Sequence, residues 1–379
     1  MPPTETDTAL YLDKPADVDR FLSEICDVTE LALDTEGASF HRFLDRIYLL
    51  QLSTRDRSAI IDPLPVGSPA RLGALLESKS VEVVFHDADY DLRLLHQDYG
   101  WHVANIFDTR IASQLLGIKS FGLASLLEQF FDVKLDKKHQ RADWSMRPLT
   151  RDMLEYAAQD TRYLLQLKDH MKGELERRGR LHWAQEEFAR LEGTRWDAEE
   201  VMEGFLRLKG ARDLTRPELA VLRELVHWRD TVAAQLDRAT FRVMGNEVLL
   251  DLSRNPPRNV SELSAIKGMP KGMIDRAGPD IIAAVRRGLE VPEADLPRFP
   301  KGQRWNKDRE FDARVVRLKG VRDEVARALD LDPGVLCSRE RLENIARSAA
   351  KTAEDLEAVP GLRRWQIEVM GPGLIAALA

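Results

Sequence analysis

Leu31-Ala32-Leu33-Asp34-Thr35-Glu36-Gly37 opens as an apolar run and closes on two acids spaced two apart. Side chains alternate faces along a strand, so Asp34 and Glu36 point the same way from its end. Alone, an Asp-x-Glu at a strand end is commonly a solvated edge or turn, and the surrounding chain decides between the readings. Strand patterns at residues 31–36, 47–53 and 58–61 are separated by short breaks, which predicts an antiparallel meander, and residues 81–85 add a fourth strand. Helical periodicity covers residues 69–78, 89–98, 109–116, 123–131 and 151–178. The chain to about Leu181 therefore reads as α/β, whereas from Ala184 onward it reads as helical and broken by Gly and Pro.

The 379 residues exceed one ordinary core and fit two or three domains. Hydrophobic content of 44% beside 31% charged residues describes a soluble globular chain without a run approaching the roughly 20 apolar residues of a membrane span. Residues 1–7 are acidic and polar, unlike a secretory signal, and Cys26 and Cys337 are far apart without metal-ligand spacing. The expectation is a cytoplasmic monomer with neither disulfides nor zinc. A net charge of −7 excludes no nucleic-acid partner, because local patches and an acidic site are hidden in the total.

The helical half is duplicated. Leu263, Ile266, Gly268, Ile274, Gly278 and Pro279 fall on Leu356, Val359, Gly361, Ile367, Gly371 and Pro372 at one offset, 356 − 263 = 93. The same offset carries Arg229-Asp230 onto Arg322-Asp323 and Leu236-Asp237 onto Leu329-Asp330. In the first copy, Leu219, Leu222, Leu225, Val226, Val232 and Leu236 form a stripe along one helix, predicted to be buried with Trp228. Between the copies, residues 291–305 hold Pro292, Pro297 and Pro300 among charges, as an extended linker would.

Two further motifs carry acids. Phe85-His86-Asp87-Ala88-Asp89-Tyr90-Asp91-Leu92 runs from a strand end into a helix. There Asp87 and Asp89 read as cap or first-turn carboxylates, and His86 as a hydrogen-bonded structural histidine. Tyr156-Ala157-Ala158-Gln159-Asp160 is helical, so a phenol and a carboxylate stack one turn apart. Asp34, Glu36, Asp91 and Asp160 gathered at one site would repel unless divalent cations neutralised them, and hard oxygen ligands suit Mg²⁺ or Mn²⁺. Two such ions can position a nucleophile on one side of a phosphate and stabilise the departing oxygen on the other. Lys137, Lys138, Arg141 and Arg147 surround Trp144 and Asp143, which reads as a single-strand contact, the alternative being a solvated loop with a buried Trp.

In order and spacing, Asp34-x-Glu36, His86 before Asp91, and Tyr156-x-x-x-Asp160 resemble the three motifs of the DEDD exonucleases, Tyr-containing branch, to which the ribonuclease D family belongs. Gln140-Arg141-Ala142-Asp143-Trp144-Ser145, then Arg147-Pro148-Leu149, is similar to the segment before that family's third motif. The duplicated unit resembles the HRDC module, its second copy having Val321 where the first has Trp228. The resemblance implies an α/β ribonuclease H-like exonuclease domain with a mixed sheet, followed by two all-α HRDC domains. The corresponding limits are residues 1–185 for the nuclease, 186–212 for a helical connection, 213–290 and 308–379 for the HRDC copies, and 291–307 for the linker.

It also implies a catalytic set of Asp34, Glu36, Asp91, Tyr156 and Asp160. Asp34 would bridge two Mg²⁺ or Mn²⁺ ions, Glu36 and Asp160 would complete the first, and Asp91 would help hold the second, partly through water. Tyr156 would orient the attacking water, while Lys138, Arg141, Trp144 and Arg147 would contact substrate. The expected reaction releases nucleoside 5′-monophosphates from RNA with a free 3′ end, such as transfer RNA precursors. Two alternatives stay open. One is a 3′→5′ exonuclease acting on DNA, because four acids do not sense a 2′-hydroxyl; the other is a non-catalytic RNA-binding scaffold. The helical half is expected to be separable from a nuclease domain that folds without it.

Overall fold

A computed structural model describes residues 9–136, 138–197, 204–269, 271–299, 309–348 and 350–379, so Lys137, Pro300 and Trp305 lie outside the described residues. The chain forms two compact units that do not follow its order: Met1–Glu36, Ile47–Trp196 and Trp305–Ala379 make one, Gly37–Arg46 and Asp197–Arg304 the other.

The first unit is built on a six-stranded sheet of β1 (Leu10–Leu12), β2 (Glu30–Glu36), β3 (Leu49–Ser53), β4 (Ser58–Ile61), β5 (Glu82–Phe85) and β6 (Ile106–Asp108). Their spatial order is β1-β4-β3-β2-β5-β6. Pairing is antiparallel within the β2–β3–β4 meander and parallel elsewhere, giving the mixed sheet. Leu31 and Leu33 of β2 face a core with Leu50, Leu52, Val83 and Phe85, which receives α1 (Pro15–Glu24), α3 (Ala70–Leu76) and α4 (Asp89–Tyr99). A short α2 (Pro63–Val66), capped by Asp62, follows β4. The opposite face, marked by Ala32 and Val84, carries α5 (Thr109–Leu115), α6 (Leu123–Phe131), α8 (Leu164–Arg177) and α9 (Leu181–Leu191), while α7 (Arg151–Arg162) crosses the meander.

That second core does not stop at the nuclease. It continues into Leu318, Leu342, Trp365, Met370 and Leu374 of the C-terminal helices α14 (Arg309–Leu329), α15 (Pro333–Leu336), α16 (Arg339–Ser348), α17 (Ala353–Glu357) and α18 (Arg364–Leu378). Trp365 stacks on Trp183 of α9 with ring centroids 5.0 Å apart and donates its Nε1 hydrogen to Glu187 at 3.0 Å. Buried Arg180 donates to the carbonyls of Leu115 and Leu329, tying α5 to the end of α14. The expectation that the whole helical half is separable is therefore corrected: the second copy shares the nuclease core.

The other unit holds α10 (Arg216–Gln235), α11 (Thr240–Val243), α12 (Asn246–Arg254) and α13 (Lys271–Leu289) around Trp228, Leu249 and Ile281. Residues 37–46 join it: Ala239 N–H donates to the His41 carbonyl at 3.1 Å, Arg42 pairs with Asp237, and Phe40 meets Phe241 edge-on. The duplication survives in the backbone, since Asp237 and Asp330 (φ 44° and 52°) and Gly268 and Gly361 (φ 82° and 80°) share left-handed conformations. Such conformations close helix ends and loops and suit Gly or Asp.

Several expectations shift. Strands β1 and β6, three residues each, are too short to show alternation. The helix expected over residues 151–178 is two, broken at Tyr163. Leu236 is 56% exposed because α10 ends before it and the chain turns left-handed at Asp237, so it leaves the buried stripe.

Candidate active site

The site lies where β2 outruns its parallel neighbour. Pairing between β2 and β5 ends at Ala32 opposite Val84, so among the described residues no strand flanks the last residues of β2 on that side. Asp91, in the first turn of α4, fills the gap: its Oδ1 accepts from Thr35 N–H at 2.9 Å and from the Thr35 hydroxyl at 2.6 Å. A carboxylate thus takes the place of a strand carbonyl and is fixed there. Thr35 escaped the sequence reading, although a lone polar residue on the Leu31/Leu33 face was a usable signal.

From the other face, α7 brings Asp160. Buried Ala157 and Ala158 let the helix approach the sheet, and the Thr161 hydroxyl lies 2.7 Å from the Ser53 hydroxyl on β3. Ligand oxygens of Asp34, Glu36 and Asp160 come within 4.8 Å of one another. Asp91 stands outside that tight group, held by Thr35. Gln51, level with Asp34 on β3, is fully buried with neither amide atom paired, which keeps the wall behind the acids polar.

A cleft of about 390 Å³ opens over the acids, lined also by His86, Gln140, Tyr156 and Gly122 to Ser125 at the start of α6. Among the described residues no cation offsets these carboxylates. Burial, then the Asp160 charge, holds Asp34 well above the ordinary range; burial, then Asp34 and Asp160, does so for Glu36. Asp91 is raised by burial and Asp34 despite the Thr35 hydrogen bonds, and Asp160 is raised to about 7 by burial and Asp91. Converging hard oxygen donors with uncompensated charge fit divalent cations. Tyr156 is also raised, by burial and then by Asp160, Glu36 and Asp34, so its phenol keeps its proton.

Some expected residues stand elsewhere. Trp144 is 1% exposed and packs 6.0 Å from the Tyr156 ring, so it cannot stack on a base and instead supports the phenol. Arg147 donates to both oxygens of buried Asp62 at 2.5 and 2.8 Å and to the carbonyls of Tyr48 and Trp144. With its guanidinium committed to that clamp, it is corrected from a phosphate contact to a brace for its loop. Lys138 and Arg141 are exposed, and Lys138 lies 3.6 Å from Asp152. Asp89 occupies the first turn of α4, as read, whereas Asp87 pairs with Arg110. His86 has its Nδ1 within 2.9 Å of the Thr109 hydroxyl, yet it also lines the cleft.

The 3′-5′ exonuclease family model matches residues 11–176, and the HRDC domain model matches residues 218–285 and 311–378. A protein named Ribonuclease D from Gluconacetobacter diazotrophicus is 30% identical over 352 residues, covering 91% of this chain and 86% of that one. The Escherichia coli RNase D crystal structure, described as an exoribonuclease involved in structured RNA processing, matches 98% of each chain at 26% identity and a TM-score of 0.74. A Bifidobacterium adolescentis protein shares the fold at a TM-score of 0.84, covering 100% of this chain and 99% of that one, with 24% identity.

Proposed function

Because the chain belongs to the ribonuclease D family and is a 3′→5′ exoribonuclease, we propose that it trims RNA 3′ ends by two-metal hydrolysis at the Asp34, Glu36, Asp91 and Asp160 carboxylates. The observation that carries this is the convergence of three carboxylates within 4.8 Å, uncompensated by any cation of the described chain, with Asp160 one helical turn from Tyr156. Bound there, two Mg²⁺ or Mn²⁺ ions would lower the pKa of the attacking water and stabilise the departing oxygen. Asp34 and Glu36 project from one strand end and Asp160 from the facing helix, so together they would hold from two sides the cations that bind a terminal phosphate. Thr35 keeps Asp91 from swinging away. Tyr156 retains its proton and so acts as a donor that orients water rather than as a base.

The products would be nucleoside 5′-monophosphates. The E. coli relative's role in structured RNA processing supports transfer RNA and other stable RNA precursors as substrates. Lys138 and Arg141, exposed on the loop before α7, remain the proposed phosphate contacts. Nuclease limits of 1–185 and HRDC limits of 213–290 and 308–379, joined by 186–212 and 291–307, are retained as units of sequence. Among the described residues no helix is long and apolar enough to cross a membrane, and we assign the protein a cytoplasmic, monomeric existence.

The test is Mn²⁺-dependent digestion of 3′-labelled and 5′-labelled oligomers, RNA beside DNA. Immediate release of labelled mononucleotide from the 3′-labelled RNA is expected. Release first from the 5′ label, or binding without cleavage, would end the proposal.

A further inference from the structure

Four carboxylates and a phenol act on a phosphodiester without sensing which sugar carries it, so they leave unexplained how a ribonuclease prefers ribose. His86, on the wall of the cleft, has the chemistry to do so, and its protonation follows from the hydrogen bonds around it. Thr109 has a single hydroxyl hydrogen, and its Oγ1 donates to the Phe85 carbonyl at 3.0 Å. At the 2.9 Å contact with His86, the same oxygen must therefore accept, which places a hydrogen on His86 Nδ1. In a neutral imidazole the other nitrogen, Nε2, is then a bare acceptor. Burial and the nearby Arg110 lower the ring's pKa to about 4, so it is neutral at working pH.

The ring is well held. Buried Asp108 at the head of α5 accepts from the Ala88 N–H at 2.7 Å, fixing the turn that carries His86. His86 lines the same cleft as Asp34, Glu36, Tyr156 and Asp160. Its Nδ1 is engaged inward, and its Nε2 is neither among the buried unpaired atoms nor bonded to any described residue. An unpaired acceptor on the wall of a cleft that takes a terminal nucleotide calls for an O–H or N–H donor on that nucleotide. An exonuclease must accept every base in turn, and the bases differ in their donors, so the recognised group is one that all nucleotides share. The 3′-hydroxyl is common to RNA and DNA; the 2′-hydroxyl belongs to RNA alone.

We propose that His86 Nε2 accepts a hydrogen bond from the 2′-hydroxyl of the 3′-terminal nucleotide and is the residue that distinguishes ribose from deoxyribose. This rests on the exoribonuclease reading of the same cleft. A site built to bond a substrate hydroxyl rejects an analogue that lacks it, and one such contact corresponds to roughly 10- to 100-fold in kcat/KM.

The experiment measures kcat/KM on oligoribonucleotides identical except at the last nucleotide, which is ribo, 2′-deoxy or 2′-fluoro with its 3′-hydroxyl intact. The wild-type protein is expected to favour the ribo end by about 10-fold or more over both others, since fluorine has the size but no hydrogen to donate. His86→Leu is expected to lower the ribo rate about 10-fold or more beyond any loss on the deoxy end, so that the ribo-to-deoxy ratio falls toward one. His86→Gln, which keeps an acceptor, is expected to retain part of the preference. A wild-type protein indifferent to the 2′ group, a fluoro end as good as ribo, or an undiminished preference in His86→Leu would each overturn the proposal. So would equal loss on all ends in both variants, which would assign His86 to packing. Absence of metal-dependent release from the all-ribo oligomer would instead refute the nuclease reading itself.

Discussion

Replacing Trp365 with Ala tests whether the second HRDC copy is part of the nuclease core. The indole is 2% exposed, stacks on Trp183 at 5.0 Å, and donates to Glu187. Emptying a buried Trp site costs about 3–5 kcal/mol, the stacking contribution included. Glu187 is not orphaned, because Arg363 remains 3.1 Å away, so no further electrostatic loss is added. At roughly 2–4 °C per kcal/mol for a unit of this size, the nuclease transition should fall by about 10 °C. Calorimetry combined with residual RNA hydrolysis after heating reads that shift. Trp365→Phe, which keeps a stacked ring, should fall much less, and Trp228→Ala should lower only the transition of the other unit, whose core Trp228 occupies. A nuclease transition that stays in place, with the C-terminal helices melting separately below it, would refute the shared core.

Asp34→Asn should cut hydrolysis by about 10³-fold or more while circular dichroism stays native, and should also abolish the rise in Tm on adding Mn²⁺. Wild-type turnover by the folded variant would remove Asp34 from the site. Tyr156→Phe should lower kcat by about 10²-fold with KM nearly constant, and a KM effect alone would make Tyr156 a substrate contact. Because the four carboxylates are held above their ordinary range, the folded metal-free protein binds protons more tightly than the unfolded chain. Their contribution to stability is thus full at low pH and lost as pH rises through their folded-state values, for Asp160 between about 4 and about 7 and by roughly 4 kcal/mol at most. Melting in EDTA should accordingly show a falling Tm between about pH 5 and pH 7.5, with Mn²⁺ restoring more at the upper end; a flat profile would contradict the uncompensated cluster.

Strand and helix periodicities are local, so spacing by two and by four already aligned Asp34 with Glu36 and Tyr156 with Asp160, whereas Asp91 was singled out from Asp87 and Asp89 only by the resemblance. The basic loop misled because Trp144 and Arg147 read identically as a stacking surface and as a clamp. What decides between those readings is Asp62, 85 residues away in the chain, whose buried carboxylate binds the guanidinium. Thr35 and the cleft-lining role of His86 were obscured for a similar reason, since each is defined by a partner on another element. The duplication fixed what the two copies have in common, down to their left-handed Asp and Gly, and gave no sign of their different uses. That difference turns on Trp365 meeting α9, a contact spanning 178 residues at Glu187.

A ten-residue excursion, Gly37–Arg46, leaves the first unit directly after Glu36 and belongs to the other unit, the chain returning at Ile47 just before β3. The chain consequently passes between the units four times, after Glu36, Arg46, Trp196 and Arg304. In the language of graphs, no single cut partitions this protein: a nick near residue 200 or near 304 leaves the halves joined through the excursion. Families that exchange modules by clean end-to-end fusion need one-cut boundaries, and this arrangement lacks one. The first HRDC copy can be traded for another only if the replacement also accommodates His41, Arg42 and Phe40, so its evolution is tethered to the residues that immediately follow β2.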